Sequence, residues 1–229
     1  TTTLLNKWKV FKRVFFNRKK LTILFITGLL ILGNWTLWIY AVATDKIIDS
    51  SFGYFIFPII SVFLGFIFFD EKLNKQRILS ILLVLISSIY LLFTMSSLPW
   101  VGLGVAFLWS FYNLLRKKIN VETDIGLLIE SLFILPIILV VLYFIIKTNN
   151  NNFNFENLKL ASLIILAGPM TLLPLFLYVK GVELSGLGPS GMVFFIVPTG
   201  QFLLGFFYFN EAFSVDKFIS FIFIWIAVL

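Results

Sequence analysis

Long apolar stretches, separated by short polar and often basic segments, occupy almost the whole chain. At a rise of 1.5 Å per residue, a helix of about 20 residues spans the hydrocarbon core of a bilayer. The continuous apolar character predicts helices, because the strands of a membrane barrel would be shorter and would alternate apolar with polar residues. The pattern predicts an all-α polytopic membrane protein with spans at 21–43, 50–69, 77–95, 99–116, 125–146, 159–179, 187–209 and 214–229.

Two of these spans resemble each other at an offset of 140 positions. Residues 55–71 and 195–211 share eight identities in seventeen positions. Matched Pro, Gly and Glu residues argue against chance, because the composition favours Phe and Leu. We therefore predict two repeats, 1–95 and 96–229, and internal repeats of this kind are typical of secondary transporters.

The register of the repeat also predicts the architecture of the full-length protein. In this register the first repeat lacks counterparts of the spans 99–116 and 125–146, and the last span is cut short at Leu229. Two repeats of five helices would give ten helices, of which eight are represented here. Because five is odd, the second repeat would be inverted in the membrane relative to the first.

The positions of the basic residues predict the orientation. Fourteen of the 18 Lys and Arg residues lie in segments on one side of the predicted spans, mainly 6–20, 70–77 and 116–124. Lys and Arg accumulate in cytoplasmic loops. We therefore expect these segments in the cytoplasm and the loop 148–158 outside.

The composition excludes several function classes. The chain has no Cys and no His, which leaves no disulfide, no thiol nucleophile, no His general base and no Cys/His metal site. No phosphate-binding loop of the Walker type is present. We expect no enzyme activity, no cofactor and no metal. Membrane orientation explains the net charge of +7 better than nucleic-acid binding does, so the expected partners are the lipid bilayer and a small-molecule substrate.

Several motifs resemble a known family. In each repeat a Pro lies seven residues before a Gly. Six residues after that Gly is a Glu, which directly follows an acidic or amide residue. Pro58, Gly65 and Glu71 are the example in the first repeat. This pattern resembles the EamA repeat of the drug/metabolite transporter superfamily. Six stretches resemble its RarD-type (chloramphenicol-sensitivity protein) branch: GNWTLWIYAV at 33–42, SFGYFIFP at 51–58, SLPWVGLG at 97–104, FYNLLRKK at 111–118, GLLIES at 126–131 and PTGQFLLG at 198–205.

The resemblance implies ten helices around a central cavity in the bacterial inner membrane. It also implies alternating access and the export of small metabolites or drugs, and it does not specify the substrate. The expected function is therefore that of a secondary transporter. The alternative from another class is a structural or regulatory membrane protein without flux.

Glu130 is the candidate for coupling transport to protons or another cation, or for contacting an amine group of the substrate. It lies about one turn inside a predicted span, where an uncompensated charge costs roughly 2–3 kcal/mol or more. It also falls in the family motif, at the end of GLLIE. The alternative role is an interfacial ion pair with Arg116, Lys117 or Lys118.

Polar and aromatic residues within the spans are the candidates for lining a substrate cavity. Amides in mid-span require a partner, and Trp and Tyr also mark membrane interfaces, so helix bridging and interfacial anchoring are the alternatives. Spacings of three and four place Trp35 with Trp38 and Trp109 with Asn113 on shared helix faces. The candidates are Asn34, Trp35, Trp38, Tyr54, Trp109, Tyr112, Asn113, Thr171 and Gln201.

Glu71 and Glu211 recur after the repeated spans, and we expect them to be structural. Asp70 and Asn210 are suitable N-cap residues for the helix that follows, and a Glu in its first turn suits the helix dipole.

Overall fold

The computed structural model describes residues 7–44, 47–94, 99–148, 153, 157–197, 199–200, 222 and 225–226. The described part of the chain is helical and contains no strand. Its eight helices are α1 (Trp8–Phe15), α2 (Arg18–Ala43), α3 (Ile47–Phe69), α4 (Lys75–Thr94), α5 (Trp100–Ile119), α6 (Thr123–Lys147), α7 (Leu158–Ser185) and α8 (Leu187–Val193).

Helices α2 to α7 coincide with the first six predicted spans, which confirms the all-α polytopic fold. Among the described residues, three helices are long and apolar enough to cross a membrane: Arg18–Ala43, Thr123–Lys147 and Leu158–Ser185. Two shorter apolar helical segments, Gly53–Phe69 and Ile78–Tyr90, accompany them. Most of α7 and the second half of α6 expose apolar side chains, as expected where lipid is the solvent.

Two elements differ from the expectation. Residues 8–15 form a helix in a segment that the basic charge marked only as a cytoplasmic segment. The predicted span 187–209 begins with the seven residues of α8 and is interrupted at Phe194 and Phe195. Here the backbone hydrogen bonds span three residues: the N–H of Phe195 donates to the carbonyl of Met192, and the N–H of Val197 donates to the carbonyl of Phe194. The rest of that span, and most of 214–229, lie outside the described residues.

The chain divides into two compact units. Unit 1 comprises residues 1–29 and 115–184. Its core joins α1, the start of α2 and the first turns of α6. The buried apolar side chains are Val14, Leu24, Ile119, Val121, Ile125 and Ile129.

Unit 2 comprises residues 30–114 and 185–229. In it α3 packs against α4 and α8, around the buried side chains of Phe55, Val84 and Phe195. Small residues allow α3 to approach its neighbours closely. A Cβ atom on Gly53 would collide with the backbone carbonyl of Gly102, and a Cβ atom on Gly191 would lie 2.9 Å from the Cβ of Ser61.

Candidate functional site

A buried ion pair in unit 1 contains the candidate coupling residue. Glu130 lies about two turns inside α6, and its Oε1 is 3.5 Å from Nε of Arg116 at the end of α5. The two side chains are 2% and 1% exposed. Thr27 of α2 donates a hydrogen bond of 2.6 Å from Oγ1 to the same carboxylate oxygen. The carboxylate therefore has a charged and a neutral partner from two other helices.

A glycine in α6, Gly126, leaves space for the guanidinium of Arg116. Nη2 of Arg116 donates to the carbonyl of Thr123 at 3.4 Å, at the beginning of α6. A Cβ atom on Gly126 would overlap the guanidinium, so a glycine is needed where Arg116 crosses α6. On the opposite side of the pair, a Cβ on Gly28 would be 3.6 Å from the backbone oxygen of Glu130, so α2 and α6 are also close there.

A second ionic group lies at the N-terminus of α6. Nζ of Lys7 is 2.5 Å from Oε2 of Glu122 and 3.1 Å from Oδ2 of Asp124. The hydrogen bonds to Glu122 and Asp124 raise the pKa of Lys7 above its usual value. Two acidic residues at this position also complement the positive end of the helix dipole. These contacts hold Lys7, the residue before α1, against the beginning of α6.

Unit 2 contains a cluster of aromatic side chains from three parts of the chain. The rings of Phe57 of α3, Trp109 of α5 and Phe194 after α8 are in mutual contact. The ring centroids are 6.4 Å apart for Phe57 and Trp109, 4.8 Å for Phe57 and Phe194, and 6.2 Å for Trp109 and Phe194. Tyr112 stacks on Trp109 at 5.4 Å, and Tyr54 lies 5.7 Å from Phe194. We refer to these five residues as the aromatic cluster.

The aromatic cluster unites three of the nine cavity candidates, Tyr54, Trp109 and Tyr112. Phe57 and Phe194 were missed, because Phe is too common in this chain for its positions to be informative. Asn113 is adjacent: its Nδ2 donates to the carbonyl of Trp109 at 2.8 Å, and its fully buried Oδ1 accepts no hydrogen bond from the described residues.

The remaining candidates lie elsewhere. Nδ2 of Asn34 donates to the backbone carbonyl of Val105 at 2.9 Å and so bridges α2 to α5. Trp35 is 38% exposed. Trp38 on the same helix is half-buried. Thr171 belongs to unit 1 and donates to the carbonyl of Ala167 in its own helix at 2.6 Å. Gln201 lies outside the described residues.

Glu71 is structural, but not in the way its sequence neighbours indicate. The following helix begins at Lys75, and Asp70 has a positive φ of 52°, so Asp70 and Glu71 do not cap that helix. Instead the Glu71 carboxylate accepts hydrogen bonds from the backbone N–H groups of Leu187 and Gly188, both 2.8 Å long, at the start of α8. Glu211, its counterpart in the repeat, lies outside the described residues.

The contact between α3 and α8 is reinforced beside this cap. Oγ of Ser61 donates to the carbonyl of Leu187 at 2.9 Å. The N–H of Leu187 is thus bound by Glu71, two residues after α3, and its carbonyl is bound by Ser61 of α3. Within the described residues, no group of three or more acidic, His or Cys side chains is arranged to hold a metal ion.

Comparison with known proteins identifies relatives along almost the whole chain. No family model matches. The chain is 35% identical to Protein RarD of Salmonella typhi over 97% of this chain and 76% of that protein. It is 34% identical to Protein RarD of Escherichia coli, over 97% of this chain and 75% of the relative. An uncharacterized transporter of Vibrio cholerae is 34% identical over 97% of this chain and 74% of its own length.

These relatives confirm the RarD-type resemblance and give the coarse function. Proteins named as transporters, together with apolar helices long enough to cross a membrane, identify a multi-pass bacterial membrane protein with a transport role. A transport role also fits the expectation that the chain is not an enzyme. The chain belongs to the RarD-type family of transporters.

Proposed function

We propose that this protein is a secondary transporter that carries small metabolites or drugs across the bacterial inner membrane by alternating access. The repeated segments 55–71 and 195–211 support this proposal, since transporters of this kind are commonly built from internal repeats. The absence of a nucleotide-binding motif from the sequence argues against ATP-driven transport.

The observation that carries the proposal is the aromatic cluster of unit 2. Aromatic faces bind flat, apolar or cationic parts of small molecules, and the nearby amide of Asn113 adds a polar group for orientation. Trp109 and Phe194 are only half-buried, so rings of the cluster reach the surface of the unit.

The test is substrate flux into proteoliposomes that contain the full-length protein. The panel consists of amino acids, amines and amphenicol-type drugs. For a transported compound, Trp109→Leu should reduce kcat/KM roughly two- to tenfold, because an aromatic contact contributes about 0.5–1.5 kcal/mol beyond its buried area. Trp100→Leu is the matched control, since Trp100 lies on the same helix and is 49% exposed. Equal effects of the two substitutions would contradict a substrate-binding role for the cluster.

Absence of flux for the whole panel would favour the alternative function. A protein without transport activity but with normal insertion and stability would be a structural or regulatory membrane protein. The wild-type protein has to be measured with a pH gradient in both directions, because the sequence does not specify the direction of transport.

We further propose that Glu130 acts through its ion pair with Arg116. The short hydrogen bond from Thr27 and the salt bridge to Arg116 support the pairing role over that of an isolated coupling carboxylate. In this proposal Glu130→Gln changes stability and leaves the dependence of flux on the pH gradient intact. Loss of that dependence in a folded Glu130→Gln protein would instead identify Glu130 as the proton-coupling residue.

A further inference from the structure

Helix α1 lies immediately before a helix that is long and apolar enough to cross the membrane. Only Phe16 and Asn17 separate the end of α1 from the start of α2 at Arg18. The three Cα–Cα steps from Phe15 to Arg18 span at most about 11 Å. The end of α1 is therefore close to the point at which α2 leaves the hydrocarbon.

The cations of α1 share one face of the helix. At about 100° per residue, Lys9, Lys12 and Arg13 fall within an arc of roughly 100°. All three are exposed. Val14 points the other way and is buried with the core residues Ile119 and Val121 of unit 1. The core thus holds the helix by its apolar face and leaves the cationic face free.

A row of aromatic rings runs along α1 beside the cations. The ring centroids of Trp8 and Phe11 are 5.8 Å apart, those of Phe11 and Phe15 5.6 Å, and those of Phe15 and Phe16 5.8 Å. Trp8 is 46% exposed, Phe15 40% and Phe16 79%. Helices that lie in the interface between lipid and water typically carry large apolar rings next to cations.

We infer that the exposed side of α1 is a binding surface for anionic phospholipid headgroups. The rings of Trp8, Phe15 and Phe16 enter the boundary between headgroups and acyl chains, while the cations contact the phosphates. Besides Lys7, which is paired with Glu122 and Asp124, the segment 8–20 contains six Lys and Arg residues and no acidic residue, so its charge is complementary to an anionic surface. Each cation near such a surface adds to the attraction.

The attachment of Lys7 distinguishes this surface from a mobile basic tail. Its ammonium group is held by Glu122 and Asp124 at the start of α6. The helix is consequently fixed at both its first residues and its buried face. Its orientation, with rings and cations outward, is a property of the folded unit.

A fluorescent label at position 16 tests the inference in the full-length protein. The chain described here contains no cysteine, so Phe16→Cys provides a single site in it for a small neutral fluorophore. The labelled protein is reconstituted in phosphatidylcholine vesicles with or without phosphatidylglycerol. Quenching by acrylamide, which is uncharged, reports the access of water. The anionic lipid should lower the quenching constant roughly twofold, and high salt should weaken the effect.

One triple variant and one double control variant test the role of the cations. Combined Lys9→Gln, Lys12→Gln and Arg13→Gln should abolish the difference between the two vesicle types. The control combines Lys147→Gln at the end of α6 with Lys159→Gln at the beginning of α7, and both of these cations are exposed. This control should retain the difference in quenching between the two vesicle types. Equal quenching of the wild-type label in both vesicle types would overturn the inference. An undiminished difference in the triple variant would overturn it as well.

Discussion

Removal of one charge from the buried pair of Arg116 and Glu130 should destabilise the protein strongly. Glu130→Gln is the most informative change, because it preserves the shape of the side chain and creates no cavity. It leaves the Arg116 guanidinium, which is 1% exposed, without its counter-charge. A buried charge without a partner is far less favourable than an intact buried pair.

The separation of the two groups sets the magnitude. At 3.5 Å between Nε and Oε1, and with an effective dielectric constant near 20, the Coulomb attraction is about 5 kcal/mol. Removal of one partner from a buried pair typically destabilises a protein by about 3–5 kcal/mol. Replacement of both residues by Met should be much less destabilising, because no charge then remains buried. In the cycle of Glu130→Met, Arg116→Met and the double variant, the double variant should be more stable than either single one. The coupling energy should therefore be at least about 3 kcal/mol.

Thermal unfolding of the full-length protein in detergent is a suitable assay, with all variants heated at the same rate. A change of 1 kcal/mol shifts Tm by roughly 2–4 °C in a protein of this size, so Glu130→Gln should lower Tm by roughly 6–20 °C. Lys180→Gln is the control. It breaks the pair with Glu183, in which the Lys180 side chain is 45% exposed, and such pairs contribute only about 0–1 kcal/mol.

A Tm of Glu130→Gln equal to that of the wild type would contradict a stabilising charge pair. So would a double Met variant no more stable than the single Met variants. Gly126→Ala provides an independent check. Its Cβ would overlap the guanidinium, so it should destabilise the wild type and have a smaller effect when Arg116 is Met.

Three further predictions concern packing, capping and topology. Gly53→Ala should destabilise the protein by about 1–3 kcal/mol, because its Cβ would collide with a backbone carbonyl of α5. The control Gly168→Ala, with nothing within 4 Å of its Cβ, should be neutral or stabilising by up to about 1 kcal/mol. Comparison of Tm values checks both. Glu71→Ala should destabilise by about 1–2 kcal/mol, because it removes the acceptor for two N–H groups of α8, and unchanged stability would contradict the capping role. Cysteines introduced at Asn17 and Asn151 should react with impermeant reagents from opposite sides of the membrane; labelling from the same side would contradict the inverted repeat.

The sequence alone determined which segments form long helices and that a membrane is their solvent. The length and continuity of apolar stretches are local properties, so α2 to α7 were predicted to within a few residues at most ends. The helix α1 was missed because its basic residues were interpreted only as topology signals. Its apolar residues do recur at helical spacing, as Phe11, Val14 and Phe15 show, so the signal was present.

The candidate site was predicted in part, for the same physical reason. Helical spacing placed Trp109 and Asn113 on one face, and the aromatic cluster does contain Trp109. The spacing could not show that Phe57 and Phe194 complete the cluster, since they come from distant parts of the chain. Their proximity depends on how α3 and α5 pack, which no local pattern specifies.

The partners of Glu130 and Glu71 depend on tertiary packing and not on neighbouring residues. Glu130 had three possible cations within a few residues of one another, and the fold selects Arg116 through the space above Gly126. Glu71 was expected in the first turn of the next helix, with Asp70 as its N-cap, yet its carboxylate caps α8, 116 residues away. A carboxylate in an apolar protein takes whichever donors folding brings within reach, and that depends on contacts between segments far apart in the chain.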